Sequence, residues 1–185
     1  MSSAWLSLHW SEIQAAAGHA THATGALVSA NLRFLTSTEA VQVDAIAEQI
    51  IPGGATPGAR DAHVVHFIDY ALTSLFAGMA PGFRAQLAEF GRSFDAGNPD
   101  SHGFAAASTE AQRAYMKSAQ HTAFFGQIRF LTVLGFLSSP KYGGNANGLG
   151  WKAIGFEDHA VFTPPFGYYD RQYKGFVPYA PKKPA

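Results

Sequence analysis

The chain has 185 residues, no net charge and a pI near 7.1, so no basic surface speaks for nucleic acid or an anionic membrane. It has no cysteine, which excludes disulfides, thiolate catalysis, Cys-ligated zinc and iron–sulfur clusters on this chain. Charged residues make up 14% against about 25% in an average domain, and aromatics another 14%, so a domain of this make-up would expose apolar surface that a partner would cover.

Residues 1–35 form an N-terminal segment in which Trp5, Leu8, Glu12 and Ile13 predict a short helix and residues 18–25 (GHATHATG) a loop. The first basic residue is Arg33, so this stretch lacks the positive n-region of an export signal. Nowhere is there a run of ~18 apolar residues, and no transmembrane helix is predicted.

Residues 36–137 read as a helical domain of about five helices, the first opened by a capping box with Thr36 as N-cap and Glu39 at N3. Val43, Ile46, Ala47 and Ile50 recur at helical spacing until Pro52, Gly53 and Gly54 stop the helix. The turn 52–59 (PGGATPGA) is expected to be structural, fixing the angle between two helices, with glycines at positive φ. A second helix is predicted over 59–78, with Val64, Phe67, Ile68, Ala71, Leu72, Leu75 and Phe76 as its apolar face. The third spans about 81–94, opened by Pro81 and carrying Phe83, Leu87, Phe90 and Phe94 on one side. After the loop DAGNPDSHG a fourth helix starts near Ser108 or Thr109. The fifth, 123–137, carries Phe124, Ile128, Leu131 and Gly135 on one face, with Phe125, Thr132 and Phe136 beside it. No segment alternates in the manner of a strand and no repeat is visible, so the fold is predicted to be all-α.

From Ser138 helical periodicity stops. Residues 138–185 are rich in proline and glycine and hold ten aromatic rings, a composition unlike that of a solvated tail. The segment is expected to be an irregular arm laid on a partner, with folding back onto its own helices as the competing arrangement. The partner interface is assigned to Ser139, Pro140, Tyr142, Gly143, Gly144, Asn145 and Trp151, extended by Tyr168, Tyr169, Tyr173 and Phe176.

Candidate chemistry is sparse. His63 and His66, three apart with Asp61 and Asp69 beside them, have metal-ligand spacing but lack a predictable third ligand, so a helix start whose acidic residues favour the macrodipole, with the histidines at an interface, is the better account. His19 and His22 invite the same judgement. No nucleophile elbow, H-E-x-x-H, P-loop or dinucleotide fingerprint is present, and the glycines of GGNANGLG lack the strand and capped helix of a nucleotide cradle. No catalytic, cofactor-binding or metal-binding residue is therefore assigned to this chain.

Three elements in order carry a resemblance: AEQIIPGGATPGARDAHVVHFID (47–69), the aromatic helix after it, and FLSSPKYGGN followed by GW.AIGF (136–156). From about residue 38 to 166 the chain resembles the gluconate 2-dehydrogenase subunit 3 family, small subunits of bacterial flavin-dependent dehydrogenases of sugars, sugar acids and polyols. The resemblance implies a non-catalytic accessory subunit. FAD and the chemistry would belong to a large partner subunit, a cytochrome c is a common third partner, and the small subunit would support folding, stability and export. It also implies a periplasmic complex, whereas the missing export signal here leaves the cytoplasm as the alternative. The competing class is a free-standing helical adaptor or ligand-binding domain.

Overall fold

The computed structural model describes residues 32–158. The expectations for residues 1–31, and those for Tyr168, Tyr169, Tyr173 and Phe176, lie outside the described residues. Within 32–158 the chain is all-α, as the sequence predicts: α1 Ser37–Ile50, α2 Val64–Thr73, α3 Ala80–Gly97, α4 Thr109–Ala119, α5 Ala123–Leu137 and a short α6 Leu149–Ala153. Single 3₁₀ turns at Ala77–Met79, Phe104–Ala106, Pro140–Tyr142 and Ala146–Gly148 connect them, and no strand occurs among the described residues.

Local chemistry sets most of the boundaries. The Thr36 hydroxyl accepts from the Glu39 N–H and the Glu39 carboxylate accepts from the Thr36 N–H, completing the predicted capping box at the start of α1. Ser108 and Thr122 cap α4 and α5 through the N–H groups of Ala111 and Phe125. Pro81 occupies the first turn of α3, where its missing N–H costs nothing.

The second helix is shorter than its apolar pattern predicts. His63 sits in the left-handed region (φ 54), so residues 59–63 form a turn and α2 begins only at Val64. At the far end the hydroxyls of Thr73 and Ser74 both donate to the Tyr70 carbonyl, competing with the backbone ladder. The chain then bends through 90° into the next helix, which leaves Leu75 55% exposed rather than on the core face.

The core lies where the inner faces meet. Phe67, Ile68, Ala71 and Leu72 of α2 pack with Phe124, Ile128 and Leu131 of α5 and with Val43, Ile46 and Ala47 of α1. Phe83, Leu87, Phe90 and Phe94 of α3 are all buried, and Phe90 and Phe94 meet Phe104 and Tyr115 edge-on at 4.9 to 5.2 Å between ring centres. α2 and α5 approach so closely that a Cβ on Gly135 would lie 2.8 Å from Phe67.

The entry to α1 is tied to this core by Asp69. Its carboxylate, buried on α2, accepts the backbone N–H groups of Arg33 (2.7 Å), Phe34 (2.9 Å) and Leu35 (2.8 Å). Arg84 completes the anchorage, donating to the Phe34 carbonyl and pairing with Glu39 at 2.8 Å.

Candidate functional site

The two sequence motifs meet in space. The turn after α1 and the loop after α5 lie side by side against α2, joined by the Ala146 N–H donating to the Ala62 carbonyl at 3.1 Å. Tyr142 stacks on Tyr70 at 5.8 Å between ring centres, with Arg33 over the outer face of Tyr70 and Lys141 beside Tyr142.

The turn is held by carboxylates of α1. Glu48 accepts the N–H groups of Gly53 (2.8 Å) and Arg60 (3.1 Å), and the buried Asp44 takes Arg60 Nε at 2.7 Å. Burial holds the Asp44 carboxyl above its ordinary range, and Arg60 works against that shift. Asp61 accepts from the Gly58 N–H at 2.8 Å, closing the turn on itself. Gly54 adopts positive φ (158), as the sequence predicts for this turn, while Gly58 is required for close approach, since any Cβ there would collide with the backbone of Gly53 and Pro52.

The loop after α5 is organised by Asn145. It is fully buried in the left-handed region (φ 48), its Nδ2 donates to the Ser138 carbonyl at 2.8 Å and its Oδ1 accepts from the Gly150 N–H at 2.8 Å. Gly144 and Gly150 press their backbones against the carbonyls of Gly135 and Phe136, leaving no room for a Cβ. Trp151 Nε1 donates to the Leu137 carbonyl at 2.7 Å, and its ring meets Phe156 edge-on. This loop therefore seals the C-terminal end of α5.

The predicted interface residues divide accordingly. Gly144 and Asn145 are buried in the chain's own interior; Ser139, Tyr142 and Trp151 are half-buried; Pro140 and Gly143 are exposed. The histidine pair lies beside this loop, with rings 5.9 Å apart. Asp61 and Asp69 face away from it to engage the backbone, and no group of three His, Asp or Glu able to hold a metal is present among the described residues.

A groove of about 470 Å³ runs between α1, the turn and α4, its polar lining supplied by Asp44, Glu48, Gln49, Arg60, Gln112 and Arg113. Its carboxylates hold the turn, and Gln49 donates to Gln112, which in turn donates to the Phe104 carbonyl. The sequence reading missed Asp44, Glu48 and Arg60 as a clamp; the available signal was an acid at position 44 inside the apolar stripe 40, 43, 47.

Comparison with protein families decides the kinship. The family model of gluconate 2-dehydrogenase subunit 3 matches residues 37–158. The chain belongs to that family. The match runs from the start of α1 past α6 and contains both motif segments, 47–69 and 136–156, of this subunit 3 chain. No curated protein and no solved structure matches the chain.

Proposed function

We propose that this subunit is the non-catalytic small subunit of an FAD-dependent dehydrogenase complex acting on a sugar, sugar acid or polyol. The flavin and the substrate pocket belong to a large partner chain, and this chain supports the partner's folding and stability. The observation that carries the reading is the family match over residues 37–158. The geometry agrees with it: four polar side chains of the motif segments, Glu48, Asp61, Asp69 and Asn145, hold backbone groups of this chain. Such residues build a shape for another surface to meet. Pro140, Tyr142 and Gly143 at the outer edge of the loop, with Tyr168, Tyr169, Tyr173 and Phe176 beyond the described residues, are assigned to the partner contact. A periplasmic location follows from the same reading and is tested by fractionating the source cells.

The test is expression of the chain alone and together with a flavoprotein dehydrogenase encoded beside it. Flavin and dye-linked sugar oxidation should appear only in the copurified complex. Turnover by the isolated, flavin-free chain would overturn the proposal, and a monodisperse chain that never binds the flavoprotein would favour a free-standing adaptor.

A further inference from the structure

The outward face of α5 carries an apolar stripe that the fold itself leaves open. Phe130 is 50% exposed and Val133 41%, and with Leu137 they fall on one side of the helix at i, i+3 and i+7, about 10 Å along its axis. Both ends of the stripe are extended by other elements. The Phe130 ring meets Phe76 edge-on at 5.5 Å, next to the exposed Leu75, and Trp151, bonded to the Leu137 carbonyl, touches Phe156 near the 61% exposed Ile154. A contiguous apolar strip of this kind on a protein surface marks a contact with another molecule.

We propose that this strip, from Leu75 through Phe130 and Val133 to Ile154 and Phe156, is the seat of the catalytic partner subunit; the assignment rests on the accessory-subunit reading above. Charge selects this occupant over the two nearer ones. The stretch 111–158, which contains α5 and the strip-forming segment after it, carries Arg113, Lys117, Arg129, Lys141 and Lys152 against Glu157 and Asp158 at its end, five cations to two carboxylates. A second copy docked strip to strip would bring this cationic stretch against itself. The chain's own continuation, 159–185, is also cationic, with Arg171, Lys174, Lys182 and Lys183 against the single Asp170. The surface that fits is an apolar band with an acidic rim on a different chain. The continuation starts three residues beyond Phe156, which closes the strip, so strip and continuation would engage the same partner.

The test places a photocrosslinking benzoylphenylalanine at Val133 of the full chain, co-expressed with the flavoprotein. The expected product is a covalent adduct to the flavoprotein, with the crosslinked peptide rich in apolar and acidic residues. In parallel, Phe130→Glu should reduce copurified flavoprotein at least tenfold while leaving the helical circular dichroism and melting of the chain unchanged, and Arg92→Ala on the far side of α3 should leave copurification intact. If the wild-type chain binds no flavoprotein, the accessory-subunit reading fails and this inference with it. If the wild-type complex forms but the Val133 probe labels a second copy, residues 159–185, lipid or nothing, or if Phe130→Glu assembles normally, this inference alone is overturned.

Discussion

Asn145 does more than any other single side chain to shape the loop after α5. One fully buried amide satisfies both a carbonyl and an N–H, and does so from a left-handed backbone that Asn tolerates better than most residues. Asn145→Ala should therefore cost about 2–4 kcal/mol, from two lost buried bonds and the backbone strain, measured by urea unfolding. Asn145→Asp makes a sharper experiment. It replaces the donor facing the Ser138 carbonyl with a second acceptor, so the new carboxyl is held protonated and its pKa rises. A raised acid contributes stability at low pH that is lost as pH climbs through its folded pKa. The variant should be weakest at neutral pH and recover part of the loss on acidification. Asp69→Asn reverses the logic: three N–H groups would face an amide with one donating end, at a cost of roughly 2 kcal/mol. Amide exchange at Phe34 and Leu35 should accelerate in that variant.

Among the elements, the turn between α1 and α2 has the most informative electrostatics. Asp44 is 3% exposed and its carboxyl is raised first by burial, with Arg60 opposing. Arg60→Ala would leave an uncompensated buried charge. Because Arg60 is itself half-exposed, the cost at pH 7 should be about 1–2 kcal/mol, below the value for a fully buried pair. The sign of the pH dependence follows from the raised pKa. Below it Asp44 is protonated and needs no counter-ion, so the gap between wild type and variant should narrow as pH falls through the folded pKa and widen above it. A gap independent of pH would mean that Arg60 acts only by packing its stem. Gly58→Ala tests the same turn sterically and should destabilise by several kcal/mol, since backbone on both sides would have to move.

At the scale of the molecule, the buried hydrophobics among the described residues all lie between Leu35 and Phe136, and the loop carrying Gly144 and Gly150 covers their C-terminal edge. A chain ending at Asp158 should melt like the full chain. One ending at Leu137 should lose several kcal/mol, because the carbonyls of Leu137 and Ser138 and the end of the α5 core would be uncovered. Truncation after Tyr168 should leave the helices intact and abolish copurification with the flavoprotein. Normal assembly of that truncated chain would remove the continuation from the interface and leave the contact to the body.

The sequence by itself determined the class of fold, the capped helix starts and the family, but not the start of α2, which begins at Val64 and not at Ala59. Capping side chains act within four residues, as at Thr36, Ser108 and Thr122, and the 3.6-residue period of Phe83, Leu87, Phe90 and Phe94 has to face a core. Only the tertiary structure decided where polar side chains go. Asp44 and Arg60 meet across a turn, Asp69 reaches a segment more than thirty residues away, and Asn145 turns inward, although its neighbours in sequence read as a surface loop. The same holds for Phe130 and Val133. In sequence α5 is apolar nearly all round, and the sequence alone gives no reason to leave one side uncovered. Which side stays open depends on where α1, α2 and α3 pack, and that follows from the bend after Ser74 together with the clamp on the turn, which joins Asp44 to Arg60 sixteen residues on.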